Sequence, residues 1–344
     1  VSAYLNTRVS LFHNRLWQRE DFIRLLSATD QEVASVLEER DLAQLAPGFV
    51  GQDTLSLEQR IITRVLDETW ILLRPLEGAA RSFLLYWTQR FEISNLKTLL
   101  RGKMTGERPA ILLSRLTPMG PFGRLDGEAL AHVEDVEELL RRLEAGAYAS
   151  IVRQAREAFE ESQDPFQLDA ALDRAYFEGL AEKARPLEQE LGADFTRLMG
   201  HYLDRINLVW LLRYRFNYHL PPAQVYYLLV NTHYGLSLST LKVLSAQGDM
   251  NAVLAALPVK LRQMLEGVTD IGEVARRMEQ RRMDAAEAIM RKPGAGLTRA
   301  FAYLILREHS LRDVRAVLRG RQLHLPHQAI EANLGAYLAP TGGL

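Results

Sequence analysis

Phe91-Glu92-Ile93-Ser94-Asn95-Leu96-Lys97-Thr98-Leu99-Leu100-Arg101-Gly102-Lys103 is the stretch that decides the fold, because the chain repeats it. Asn95 is followed by an apolar residue, two variable positions, two apolar residues, then Arg101, any residue and Lys103. The same order returns in Leu203-Asp204-Arg205-Ile206-Asn207-Leu208-Val209-Trp210-Leu211-Leu212-Arg213-Tyr214-Arg215. It returns again in His309-Ser310-Leu311-Arg312-Asp313-Val314-Arg315-Ala316-Val317-Leu318-Arg319-Gly320-Arg321. Asn207 stands 112 residues after Asn95, and Asp313 stands 106 after Asn207. Each copy also follows a helix-start signal: Ser56 with Gln59, Asp164 before Pro165, and Asp270 with Glu273. A looser similarity links Leu25–Leu37, Leu130–Leu140 and Leu244–Leu257. A period of about 110 residues is too long for a solenoid unit and suits three similar domains, each able to bury its own core. The expected modules are residues 1–104, 105–216 and 217–344. Three quasi-equivalent units suggest a pseudo-threefold axis, with a linear tandem array as the other geometry.

Outward from these copies the periodicity is helical. Phe22, Leu25, Leu26, Val33, Val36 and Leu37 fall at helical spacing, and Thr29 with Glu32 reads as a capping box between two short helices. Leu57, Ile61, Ile62, Val65, Leu66 and Trp70 continue the helix that Ser56 begins. Alternating β-branched runs bounded by turn dipeptides do not occur. Breaks are expected at Pro47–Gly51, Gly102–Pro109, Pro118–Gly127, Pro221–Pro222 and Pro293–Gly296. The fold class is all-α.

Composition narrows the chemistry. The 344 residues include no cysteine, which removes disulfides, Cys-ligated zinc, iron–sulfur clusters and thiol nucleophiles. Forty-two Lys+Arg balance 43 Asp+Glu, so no net field favours nucleic acid or an anionic bilayer. Only six of the basic residues are lysine, a bias that codon usage explains more simply than phosphate recognition does. The first twenty residues carry no signal-peptide core. The longest uncharged stretch, Phe216–Leu241, contains Asn217, His219, Pro221, Pro222, Gln224, Asn231 and His233. Its longest apolar run is Val225–Val230, far short of the roughly 20 residues a spanning helix needs. A soluble chain is expected, with any membrane link running through a partner.

No phosphate-cradling glycine loop, G-x-G-x-x-G, H-E-x-x-H or G-x-S-x-G occurs. His324 and His327 flank Pro326, which argues against one helix face presenting both to a metal. Glu134, Asp135, Glu137 and Glu138 read as a solvated helix face, as do Glu157, Glu160 and Glu161. Trp70, Phe83, Tyr86 and Trp87 lie at helical spacing and read as core. The expectation is no catalytic residue, no cofactor and no metal.

Each copy ends in two cations: Arg101 and Lys103, Arg213 and Arg215, Arg319 and Arg321. Locally they complement helix dipoles, each worth about 0.3–1 kcal/mol. The sharper reading makes them three symmetric patches that bind an acidic partner. Asn95, Asn207 and Asp313 likewise suit backbone bonds where helices meet, or an interface.

Tyr4-Leu5-Asn6-Thr7-Arg8-Val9, the Asn95–Lys103 run, and Leu172-Asp173-Arg174-Ala175-Tyr176-Phe177 with Leu180 resemble the C subunit of V/A-type rotary ATPases. The eukaryotic counterpart is the d subunit of the vacuolar ATPase. The third copy departs most, with Asp313-Val314-Arg315 where the first has Asn95-Leu96-Lys97. The resemblance implies a non-catalytic, funnel-shaped rotor subunit on the cytoplasmic face of the membrane. Its implied partners are the D and F subunits of the central stalk and the proteolipid rotor ring (c/K/L-type). Its implied work is torque transmission for ion transport and ATP synthesis, without binding nucleic acid. Two rival readings are a helical adaptor unrelated to rotary pumps and an all-α enzyme with its site between modules.

Overall fold

The computed structural model describes residues 2–47, 55–294 and 296–334, with Ser2 and Asn333 as main chain only. Every regular element among them is helical. The chain opens with α1 (Ser2–His13), α2 (Arg19–Ser27), α3 (Val33–Glu39), α4 (Leu57–Leu73), α5 (Gly78–Met104), α6 (Pro109–Arg115) and α7 (Gly127–Ala131). Then come α8 (Val136–Glu144), α9 (Ala149–Ser162), α10 (Pro165–Leu191), α11 (Ala193–Leu212), α12 (Pro222–Leu228), α13 (Leu238–Ser245), α14 (Met250–Ala255), α15 (Val259–Met264) and α16 (Ile271–Arg291). It closes with α17 (Leu297–Gln322) and α18 (His327–Asn333). Val1, residues 48–51 of one expected break, residue 295 of another, and 335–344 of the third expected module lie outside the described residues. No described helix is long and apolar enough to cross a membrane.

The helix starts follow the side chains that can satisfy free backbone donors. Ser56 accepts from the Gln59 N–H at 3.2 Å while Gln59 Oε1 accepts from the Ser56 N–H at 2.7 Å, a complete capping box. Asp164 Oδ1 accepts from Phe166 at 2.9 Å, and Asp270 Oδ1 accepts from Glu273 at 2.8 Å. At Thr29 the Glu32 carboxylate takes both the backbone N–H and the hydroxyl, at 2.8 and 2.9 Å. Asp135 caps α8, and Glu137 and Glu138 of the acidic run stand in that helix's first turn. Gly192, at φ +77°, is the single residue between α10 and α11, where a side chain would be strained.

The chain forms two compact units. The first comprises residues 2–132 and 286–334. Its centre is α17, where all seven residues from Ala300 to Leu306 are buried. A helix apolar on every side must be surrounded, and α1, α2, α4 and α18 pack on it. Phe301 meets Phe83 and Trp87 edge-on, with ring centroids 5.2 and 4.8 Å apart. Trp70 meets Phe122 in the same manner. Among the charged groups in this interior, Glu68, 2% exposed, accepts from Tyr303 Oη at 2.5 Å and from Arg307 at 2.9 Å, with Arg64 at 2.9 Å. Buried carboxylates require such partners, because desolvation costs several kcal/mol per ion.

The second unit comprises residues 133–285. Helix α10 packs along α9 and α11. Leu208, Leu211, Leu212 and Tyr214 meet Val225, Leu228, Leu241, Leu244, Val253 and Val274 in one core. Phe166 lies edge-on to Tyr214 and stacks on Tyr218.

Candidate functional site

The three quoted stretches occupy the second half of α5, most of α11 with its continuation, and the second half of α17. Asn95 grips the main chain 22 residues on: Nδ2 donates to the Thr117 carbonyl and Oδ1 accepts from the Thr117 N–H, both at 2.8 Å. Asn207 does the same to Val230, donating to its carbonyl at 2.9 Å and accepting from its N–H at 2.8 Å. A primary amide carries a donor and an acceptor side by side, so one side chain satisfies both groups of one residue. One turn earlier a carboxylate holds the next loop. Glu92 accepts from the Arg124 N–H at 2.9 Å, and Asp204 accepts from the Leu236 N–H at 2.8 Å. Burial pushes the Asp204 carboxyl up to about 6, against the opposing pull of the Leu236 N–H, Arg281 and the Gly235 N–H. The Asn residues therefore serve local structure.

The second cation of each pair reaches the end of another helix. Lys103 Nζ donates to the Ala131 carbonyl, the last residue of α7. Arg215 donates to the Ser245 and Gln247 carbonyls at 2.9 and 3.0 Å, at the end of α13. Arg321 donates to the Leu25 and Leu26 carbonyls at 3.2 and 2.9 Å near the end of α2, and to Asp30 at 3.1 Å. Helix C-terminal carbonyls have no intrahelical partner and carry partial negative charge, so a cation there satisfies both demands. The receiving segments begin near Leu25, Leu130 and Leu244, the looser similarity of the sequence.

The first cation is placed differently. Arg101 and Arg319 are exposed in the last turns of α5 and α17. Arg319 donates to Gln322 at 3.3 Å. Arg213 is half-buried, and desolvation holds its guanidinium below its ordinary value. It opens a π-helical turn, Arg213–Asn217, that continues α11. The residue between the two cations explains this local difference. A Cβ on Gly102 would run into Leu112 of α6, and one on Gly320 would run into Ile330 of α18. Glycine there lets the following short helix cross closely. The second stretch has Tyr214 at that position, packed against Phe166 and Trp210.

His324 and His327 are both exposed, one in a left-handed turn and one at the start of α18. Among the described residues no group of three His, Asp or Glu is placed to hold a metal ion.

These observations define an all-α protein in which recurring amide, carboxylate and cationic side chains tie long helices to short ones. Residues 5–333 match the family described as ATP synthase (C/AC39) subunit, and the chain belongs to that family. It is similar to the A-type ATP synthase C subunit of Methanocaldococcus jannaschii, 22% identical over 96% of this chain and 86% of that protein. The protein of the same name from Haloquadratum walsbyi is 24% identical over 95% of this chain and 96% of its own. That from Methanosarcina mazei is 22% identical over 96% and 92%. The resemblance drawn from Tyr4–Val9, Asn95–Lys103 and Leu172–Phe177 is borne out.

Proposed function

We propose that this chain is a non-catalytic central-stalk subunit of an A/V-type ATPase or ATP synthase. It couples the D/F shaft to the proteolipid rotor ring at the cytoplasmic face and transmits torque. The carrying observation is family membership over residues 5–333, nearly the whole described chain. An all-helical chain without a membrane-spanning helix among its described residues suits a part that joins a membrane ring through protein contacts.

The reading includes three similar modules, 1–104, 105–216 and 217–344, arranged about a pseudo-threefold axis as a funnel. It is supported by the paired Asn95 and Asn207 contacts and by the three helix-end contacts of Lys103, Arg215 and Arg321. All six terminal cations belong to the proposed contact region. Arg101, Arg213 and Arg319 face partners, while Lys103, Arg215 and Arg321 hold the shape of the surface beside them.

The test is to tag the chain in its native cell, extract membranes in mild detergent and identify what co-purifies. Recovery of stalk, ring and catalytic head with one copy of this chain per complex is expected. A clean preparation lacking both ring and stalk subunits would overturn the reading in favour of an unrelated helical adaptor.

A further inference from the structure

Within the second unit, α11 and α16 border an open cavity of about 540 Å³, in the size range of small-molecule sites. Its charged lining is Arg197 and His201 from α11 with Arg276, Arg277, Arg281 and Asp284 from α16. Most of these groups are already engaged. Arg197 pairs with Asp194 at 3.2 Å, and Arg276 and Arg277 share Glu273 at 2.6 and 2.8 Å. Arg277 also donates to the Met264 and Glu266 carbonyls, and Asp284 accepts from Gln280 at 2.8 Å. Two atoms stand apart. Arg281 Nη1 and His201 Nδ1 are both buried, and neither has a hydrogen-bond partner among the described residues. A buried guanidinium N–H without an acceptor is costly. Such atoms also occur on Arg299 and Arg307, and what distinguishes Arg281 and His201 is that both line this arginine-rich cavity.

We propose that this cavity binds a phosphate-class anion, held by Arg281, Arg197 and His201. A guanidinium fork pairs with a carboxylate or a phosphate alike. A tetrahedral oxyanion presents additional, separate oxygens to donors arriving from two helices, α11 and α16, whereas a carboxylate offers two coplanar ones. The cavity exceeds the size of a single phosphate, so the anion can be free or part of a larger molecule. His201 adds a proton-linked element. Burial first, then the Arg281 guanidinium, pull its imidazole down to about 4, against an opposing pull from the Arg281 main chain, with Arg197 adding a smaller downward pull. A bound anion reverses the electrostatic part of that shift, so anion and proton bind cooperatively. The charged groups that line the cavity with His201 are Arg197 on its own helix and Arg276, Arg277, Arg281 and Asp284 on α16, and Asp204, three residues on, acts on Arg281. Tyr234 packs on the neighbouring Gly200. Asp204 acts in the same direction as His201, since its protonation removes a negative charge beside Arg281.

The test is calorimetric titration of the full chain at low ionic strength with inorganic phosphate, pyrophosphate, metal-free ATP and malonate. Pyrophosphate is expected to saturate one site and to bind at least about tenfold more tightly than malonate. R281Q should weaken it about tenfold or more, R281K should weaken it less, and R197Q should act as a second, independent variant. R291Q, on the exposed end of the same helix, should leave binding unchanged. ATP binding more tightly than pyrophosphate assigns the site to a phosphate-bearing molecule, and equal affinity assigns it to the free anion. Sulfate, whose charge is constant between about pH 5 and 8, should bind several-fold more tightly at the lower end, and H201Q should reduce that gain. Absence of saturable binding, malonate binding as tightly as pyrophosphate, or unchanged affinity in folded R281Q and R197Q would each overturn the proposal. It stands independently of the coupling role.

Discussion

Replacing Asn207 by alanine removes one side chain and leaves two groups stranded. Asn207 and Val230 are both fully buried, and the amide is within 2.9 Å of both main-chain groups of Val230. In N207A the Val230 N–H and carbonyl each lose their partner where water does not readily reach. Each such loss costs about 1–3 kcal/mol, so a total of about 3–4 kcal/mol is expected, a large part of a typical domain stability of about 5–15 kcal/mol. N207D separates the two bonds. The carboxylate still accepts from the N–H but faces the Val230 carbonyl with a second oxygen, so the ionised form is disfavoured and its pKa rises. A raised folded-state pKa means that the fold binds more protons than the unfolded chain. N207D should therefore be least stable at high pH and should recover as the pH falls below that pKa, when a carboxyl O–H can donate to the carbonyl. Denaturant unfolding followed through Trp210, one turn along α11, gives the global cost. Hydrogen exchange over residues 226–232 gives the local one. A loss below about 1 kcal/mol with unchanged exchange at Val230 would refute the reasoning, because it would mean that the stranded groups find other partners.

Three further outcomes follow from the same geometry. G102A should cost about 1–3 kcal/mol despite alanine's better helix propensity, because its Cβ meets Leu112. G102A/L112A should cost less than the two single changes together, which a thermal-unfolding cycle would check. In the second unit two buried titrations oppose each other. Asp204, raised to about 6, contributes about 3 kcal/mol that is present below about pH 4 and lost as the pH rises to about 6. His201, lowered to about 4, contributes stability that grows between about pH 4 and 6.5, by about 1–2 kcal/mol after allowance for solvent screening. D204N should therefore expose a rise in stability with pH and H201Q a fall, and identical parental profiles in both would contradict the assignment. On the proposed coupling role, R101E/R213E/R319E should reduce recovery of stalk or ring subunits in co-purification while leaving the helical circular dichroism unchanged.

Much of the architecture is legible without coordinates because helix starts are local events. Ser56, Asp164 and Asp270 announce α4, α10 and α16 through bonds spanning two or three residues. The recurrence of Asn95, Asn207 and Asp313 is visible as spacing alone. A further signal lay unused in the same register: Phe83, Phe195 and Phe301 stand twelve residues before them, and all three are fully buried. The six terminal cations could be found by pattern, but their different placements could not. Lys103, Arg215 and Arg321 look identical in sequence to exposed cations, and only the approach of α7, α13 and α2 makes their carbonyl contacts possible.

The amino-acid sequence by itself determined the helical class, several of the caps and breaks, and the family, since each rests on short-range chemistry or on order along the chain. Tertiary structure alone decided which backbone groups Asn95 and Asn207 hold, why Gly102 and Gly320 are glycine, and where Tyr214 coincides with a π-helical turn. It alone brought Arg197 and His201 beside Arg281, about eighty residues away along the chain. Those contacts depend on packing between helices distant in sequence, where burial, not local propensity, sets the energy of a polar group.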